Sequence, residues 1–328
     1  MRALFRVVFS ALLLAAPIAA RADVPSSQLL EAVRGDLTHG RADSGLQTLD
    51  KVLAQEPRNA EAHNLQCRIY LQEQRWNDAV AACQAAVKLK PDDSNYHLWL
   101  ARAMGEKADR VSFITAFRMA KPIRVEFETA AKLDPHSANA LSDLGEFYVD
   151  APGIVGGGFD KAERVAQQLD GFAPQRAHYL RARIAEGEKD YARAETEYKA
   201  AIAASKEPAD AWMDLASFYR RRQRWDEMIE AVHKGAAMDP QHGVASADGA
   251  SVLIRANRDL LFARQLLEQY LASSSKSEDA PAFQAHVQLG KLMTAQGDAS
   301  GAQQQFAAAV DLAKGYQAGT QAATNSGR

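Results

Sequence analysis

The chain has 328 residues, of which 47% are hydrophobic and 24% charged, so it is long enough to build a packed core. Its formal net charge of −2 argues against a nucleic-acid-binding protein, because that class usually carries a strong basic surface. Alanine, leucine, glutamine, glutamate and arginine are abundant. These residues favour helices, and they predict an all-α fold.

The N-terminus has the pattern of a secretory signal peptide. Arg2 and Arg6 precede the apolar run 7–16, and residues 20–22 form an A-x-A cleavage site. This pattern predicts a cleavable signal peptide over residues 1–22. The apolar run is shorter than the roughly 20 residues of a membrane-spanning helix. Cleavage would remove three arginines and leave 36 of the 39 basic residues against 41 acidic ones, a formal charge of −5. We therefore expect a periplasmic or secreted chain without a transmembrane segment.

Prolines recur along the rest of the chain at spacings of 34, 44, 39, 34 and 32 residues: Pro57, Pro91, Pro135, Pro174, Pro208 and Pro240. Between them, large apolar residues recur three and four positions apart, as in AWMDLASFY and ALSDLGEFY. That spacing places them on one face of a helix. A glycine or alanine inside each segment lets two helices approach closely. Each interval therefore predicts one pair of helices.

The pattern W-x2-L-G-x2-Y, then A-x3-F, then P, on a 34-residue period resembles the tetratricopeptide repeat. Its first part is carried, for example, by Trp212, Leu215, Ala216 and Tyr219. Eight units are expected over residues 23–316, beginning near residues 26, 60, 94, 138, 175, 209, 244 and 283. The resemblance implies an α-solenoid, a right-handed superhelix of about eight antiparallel helix pairs with a concave groove. Residues 317–328 are expected to form a disordered polar tail.

Two of the intervals contain insertions. The first, near residues 105–125, is apolar and includes Phe113 and Phe117. We expect these side chains to pack against the adjacent enlarged loop, the alternative being an exposed ridge for a partner helix or lipid. The second insertion, near residues 151–159, contains three consecutive glycines, 156–158. It lacks the G-x4-G-K-[ST] phosphate-binding motif, so a structural loop is expected, with anion binding by its N–H groups as the alternative.

The two cysteines belong to the second unit. Cys67 lies on its first helix and Cys83 on its second, both at core-facing positions. A disulfide and a pair of buried thiols both remain open, because a disulfide requires a narrow range of Cα separations.

Basic residues recur at one position of the first helices. In this family the first helix of each pair lines the groove, and the residue after the small position faces into it. Five of these eight positions are basic, with two further arginines one turn on: Arg34, Arg68, Arg102, Arg183, Lys291, Arg220 and Arg255. A basic stripe broken at Glu146 would hold carboxylates of a peptide or an acidic sugar. The alternative is a set of solvated surface charges.

Sequence motifs for catalysis are missing. The histidines do not cluster, and H-E-x-x-H and G-x-S-x-G do not occur, so no enzyme, cofactor or metal site is expected. We predict a non-catalytic scaffold that binds a peptide or protein segment in the groove, an acidic one if the basic stripe is the site. Two alternatives stay open. One is a structural component of an envelope machine for polysaccharide export or outer-membrane assembly. The other is a carrier of lipid or another hydrophobic small molecule, with a cavity near Phe113.

Overall fold

A computed structural model describes residues 24–326, which form seventeen α-helices, one short 3-10 turn and no strands. The predicted signal peptide, residues 1–22, lies outside the described residues. The first sixteen helices form eight consecutive pairs. Their first members are α1 Ser26–Thr38, α3 Ala60–Gln72, α5 Ser94–Ala108, α7 Ala138–Asp150, α9 Pro174–Gly187, α11 Ala209–Arg221, α13 Val244–Ala256 and α15 Ala282–Ala295. Their second members are α2 Ala42–Gln55, α4 Trp76–Leu89, α6 Phe113–Leu133, α8 Phe159–Leu169, α10 Tyr191–Ala204, α12 Trp225–Ala237, α14 Leu260–Ala272 and α16 Ala299–Leu312.

Short polar residues begin the helices, and small residues let the two helices of a pair approach closely. Asn59 and Ser137, for example, cap the N-termini of α3 and α7, because each side-chain oxygen accepts a hydrogen bond from the backbone N–H three residues further on,. At the small position of the eighth pair, Gly290 lies directly against the ring of Phe306 on α16. A larger side chain there would push the two helices apart. The expected all-α repeat architecture is confirmed.

The turn within a pair has one recurrent feature. Six of the eight pairs join their helices by a three-residue turn that includes a residue with positive φ: Gly40, Gln74, Lys189, Gln223, Asn257 and Gly297. Such a left-handed residue ends a helix sharply and lets the chain reverse. The third and fourth pairs have longer connections, which carry the two insertions; the third contains no residue with positive φ, and the fourth has Gly156 and Gly158 inside the glycine loop. The regular turn is therefore replaced where α6 is lengthened and where the glycine loop stands.

The first and last pairs pack on each other. Leu30, Val33 and Leu37 of α1 share one buried cluster with Phe283 of α15 and Tyr316, which follows α16. Polar contacts surround this cluster. The side-chain amide of Gln72 donates to the backbone carbonyl oxygens of Leu37 and Glu278 at 3.1 and 3.0 Å. The side-chain amide of Gln284 donates to the backbone carbonyl oxygen of Gln72 at 2.8 Å. The row of helix pairs therefore closes on itself within residues 24–326.

The C-terminal segment differs from the expected disordered tail. Gln317–Ser326 forms an additional helix, α17. Gly319 is buried against Tyr316 and Val287, and Ala322 and Ala323 pack against the core. Small side chains thus give this polar stretch a face that fits on α15 and α16. The prediction of disorder is wrong for these residues because it considered polarity and not side-chain size.

Cys67 and Cys83 form a disulfide across the second pair. Their Cα atoms are 5.2 Å apart, and both side chains are fully buried beside Leu100 and Ala103 of α5. Of the two states that the sequence left open, the structure contains the covalent one.

Candidate functional site

A cleft of about 940 Å³ lies on the side of the molecule formed by the first helices α3, α5 and α7. The start of α6 and the 3-10 turn Gly153–Val155 form one wall, and the segment from Glu278 to Gln284, ahead of and within α15, borders it from the other end of the chain. The cleft therefore depends on the closure between the first and last pairs. Both sequence insertions contribute to its lining.

The wall built by α6 is apolar and exposed. Phe113, Ala116, Phe117 and Ala120, which we call the α6 ridge, follow the three- and four-residue spacing of one helix face and line the cleft,. Phe113 is 81% exposed and Phe117 43% exposed, with their ring centroids 6.4 Å apart. Ile154 of the 3-10 turn stands in the same lining and is 83% exposed. The expectation that Phe113 and Phe117 are packed against the neighbouring loop is wrong.

The later turns of α6 hold the α6 ridge in place. Ile123 and Phe127 are buried in the core formed with α5, α7 and α8. The Tyr148 hydroxyl donates to a carboxylate oxygen of Glu128 at 2.9 Å. The Arg124 side chain lies against Gly156, where a β-carbon would collide with it. The first two turns of α6 therefore project from a fixed base, and their apolar residues face the cleft.

The glycine loop uses its N–H groups internally. The amides of Gly156, Gly157 and Gly158 donate to the carbonyl oxygens of Gly153, Pro152 and Tyr148 at 3.0, 3.2 and 2.8 Å. The ammonium of Lys161 donates to the Gly156 carbonyl at 2.7 Å. Gly156 has φ of +103°, which favours glycine,. These contacts support the structural loop and leave none of the three amides free for an anion.

The other side of the cleft is polar and held by ion pairs. The Arg68 guanidinium donates to both carboxylate oxygens of Glu278, at 2.6 to 3.0 Å, although the residues are 210 positions apart. The Arg102 guanidinium donates to Asp143 at 2.5 Å. Both arginines also lie over the ring of Trp99, at 4.9 and 4.7 Å from its centroid. Two residues of the predicted stripe thus lie side by side here, each with a carboxylate partner.

The remaining members of the stripe divide into two groups. Arg34 pairs with Glu31 and Glu61, and Arg183 pairs with Glu146 at 3.3 Å and with Asp150 at 2.8 Å. Arg220, Arg255 and Lys291 form no ion pair within residues 24–326. Burial and the nearby charges of Arg255 and Arg221 lower the pKa of Arg220. The seven predicted residues therefore do not form one continuous basic surface, because four of them are paired with carboxylates.

Known proteins with similar sequences or structures indicate the family of the repeats. Two family models, both described as tetratricopeptide repeat, match residues 36–103 and 179–242. Among solved structures, a thermophilic TPR protein of Thermus thermophilus is similar at 18% identity and a TM-score of 0.50, over 59% of this chain and 98% of that one. The chain contains tetratricopeptide repeats.

Yeast Tom70 is also similar in structure, at 16% identity and a TM-score of 0.57, over 93% of this chain and 64% of the Tom70 chain. At these identities the likeness concerns the fold alone. No curated protein matches the sequence. Tetratricopeptide repeats generally indicate a protein–protein interaction scaffold, and their fold is typically non-catalytic. Among residues 24–326, none of the helices combines the length and apolar character that a membrane crossing requires.

Apart from Glu146, sequence reasoning missed the carboxylates of this cleft. The lining contains seven of them: Glu106, Asp109, Asp143, Glu146, Asp150, Glu278 and Asp279. Glu278 and Asp279 lie in the long connection between α14 and α15, far in sequence from the other five. Only the closure of the repeats brings them to the cleft. The length of that connection was the one available signal. No group of three or more histidine, cysteine, aspartate or glutamate side chains in the described part of the chain is arranged to hold a metal ion.

Asp214 on α11 is a further acidic residue of a first helix. Burial, followed by the negative charges of Glu146, Asp248 and Asp210, raises its pKa to about 7, and Arg221 opposes the shift. The charged form of Asp214 is therefore disfavoured in the folded protein.

Asp214→Asn is expected to raise the melting temperature at pH 8, with a gain that shrinks towards pH 5. Between the unfolded pKa of about 3.9 and the folded pKa, the folded state binds more protons, so this group lowers stability as pH rises through that window. The amide removes the charge. Calorimetry at pH 5, 6, 7 and 8 measures the effect, with Asp92→Asn on the exposed surface as the control. A gain independent of pH would contradict the assignment.

Proposed function

We propose that this protein is an exported scaffold that binds a segment of another protein in the cleft beside the α6 ridge. The observation that carries the proposal is the exposure of Phe113, Phe117 and Ile154 around one cleft on the inner side of the first helices. Contiguous apolar side chains of this kind mark interaction sites on soluble proteins.

The energetics favour a partner that covers these side chains. Full burial of a large apolar side chain contributes about 1.5–3 kcal/mol relative to leaving it exposed. Phe113 and Ile154 gain most, because about four fifths of each is exposed, whereas Phe117 is already half covered. Association itself costs at least about 4 kcal/mol, so these three side chains support binding but need polar contacts beside them.

Export is proposed from two features. Residues 1–22 have the pattern of a cleavable signal peptide,. The Cys67–Cys83 disulfide is typical of an oxidising compartment,. We propose the periplasm or the extracellular space as the location.

A carrier of lipid or another hydrophobic small molecule is the second candidate, favoured by a cavity next to Phe113. Its walls differ from those of an apolar pocket, because seven carboxylates contribute to the lining. Lipid that co-purifies with the mature chain, and is lost from a Phe113→Asp variant, would favour this candidate over the scaffold.

Site-specific photocrosslinking tests the scaffold. A photoreactive phenylalanine analogue at position 154 is used to crosslink the mature protein in extract from its native cells. We expect a crosslinked protein whose yield falls at least tenfold with Phe113→Asp. The control is Leu261→Asp, since Leu261 is 77% exposed on α14 and lies outside the cleft. Equal yields from wild type and both variants would reject the cleft as the binding site.

A further inference from the structure

The charges lining the cleft are unbalanced. Its seven carboxylates face three basic residues: Arg68, Arg102 and Arg110. Arg183 reaches Glu146 and Asp150 from α9. Even with Arg183 counted, three negative charges are in excess.

The basic residues of the cleft are also less available to a ligand than the acidic residues. Arg68 and Arg102 each donate to a carboxylate and lie over Trp99. Glu278 and Asp143 would have to be displaced before these guanidinium groups could bind an acidic ligand. Asp109 and Asp279, by contrast, are exposed and form no ion pair within residues 24–326.

Neighbouring carboxylates already disfavour further negative charge here. Burial raises the pKa of Glu146, and the nearby Asp143 and Asp150 add to the shift, while Arg183 opposes it. A cation placed in the cleft would relieve this repulsion, whereas an anion would add to it.

The size of the cleft suits a short segment of chain. A helix with side chains is about 10–12 Å across and rises 5.4 Å per turn, so a volume of about 940 Å³ holds roughly two turns,. Two turns of an amphipathic helix present one apolar face and one polar face. The cleft offers both kinds of surface, because the α6 ridge and Ile154 as well as the seven carboxylates line it.

We propose that the segment bound in the cleft is cationic and amphipathic, with apolar side chains on the α6 ridge and lysine or arginine side chains towards Asp109 and Asp279. This inference rests on the proposed function and specifies its partner. It also reverses the acidic partner that the basic stripe suggested.

Selection from a phage-displayed library of random 12-residue peptides tests the inference. The bait is the mature protein, residues 23–328, and each round is depleted on the Phe113→Asp variant. We expect the enriched peptides to combine apolar residues with a net charge of about +2 or more. The best peptide is then labelled with a fluorophore, and its affinity is measured by anisotropy.

Paired variants separate the charge contribution from general effects. Asp109→Asn with Asp279→Asn is expected to weaken the selected peptide about three- to tenfold, in the range of exposed ion pairs. Asp92→Asn with Asp311→Asn, two exposed aspartates outside the cleft, is the matched control and should leave the affinity unchanged.

The outcomes distinguish the two proposals. Neutral or acidic peptides that are still lost with Phe113→Asp would overturn the cationic partner and leave the cleft as the site. Equal effects of the two aspartate pairs would also overturn the cationic partner. Failure to enrich any peptide that distinguishes wild type from Phe113→Asp would overturn the proposed function itself.

Discussion

Replacing Phe283 by alanine is expected to lower the free energy of unfolding by about 3–5 kcal/mol, as for other fully buried phenylalanines. Phe283 has no exposed surface, and its ring lies 5.1 Å from that of Tyr316. It belongs to the cluster in which α1 meets α15. The loss should therefore reach both ends of the chain. Urea unfolding monitored by circular dichroism gives the change in free energy.

Amide hydrogen exchange tests the link between the ends. With Phe283→Ala, protection should fall in α1 and α2 as well as in α15 and α16. Phe218→Ala is the matched control, because Phe218 is equally buried but lies in the core around α10 and α11. Its effect should be centred there. If Phe283→Ala loosened only the C-terminal helices, the closure of the repeats would be refuted.

Reduction of the Cys67–Cys83 disulfide is expected to lower the free energy of unfolding by about 3 kcal/mol. The bond closes a loop with a sequence separation of 16 residues. Closing a loop of about this length lowers the conformational entropy of the unfolded chain, which stabilises the folded state by roughly that amount of free energy. Urea unfolding with and without reductant measures the difference. A Cys67→Ala, Cys83→Ala double variant serves as the control, since its stability should not respond to reductant. A wild-type curve that does not shift on reduction would contradict the expectation.

The helical repeat could be predicted because its signal is local. The proline intervals and residues such as Leu215, Ala216 and Tyr219 each report on one helix pair, and packing between neighbouring pairs follows from the same pattern,. The fold class is accordingly confirmed. The sequence also put Arg68 and Arg102 at equivalent positions of neighbouring first helices, and in the structure both lie over the ring of Trp99.

The cleft could not be predicted because it depends on distant residues. Glu278 reaches Arg68 only after seven pairs have turned the chain back on itself, and no local pattern encodes that. The exposure of Phe113 was missed for another reason. The general tendency of apolar residues to be buried was applied to an insertion that extends beyond its partner helix,.

The contact between the first and last pairs also constrains how this protein can vary. An open repeat array can gain or lose a unit, provided that each end keeps a polar cap. Here Leu37 and Phe283 share one buried cluster, so each end covers the apolar surface of the other. An added or deleted unit would separate these surfaces and leave both uncovered. We therefore expect length changes in related chains to fall within helix pairs, as the lengthened α6 and the glycine loop before α8 do, while the number of helix pairs stays at eight.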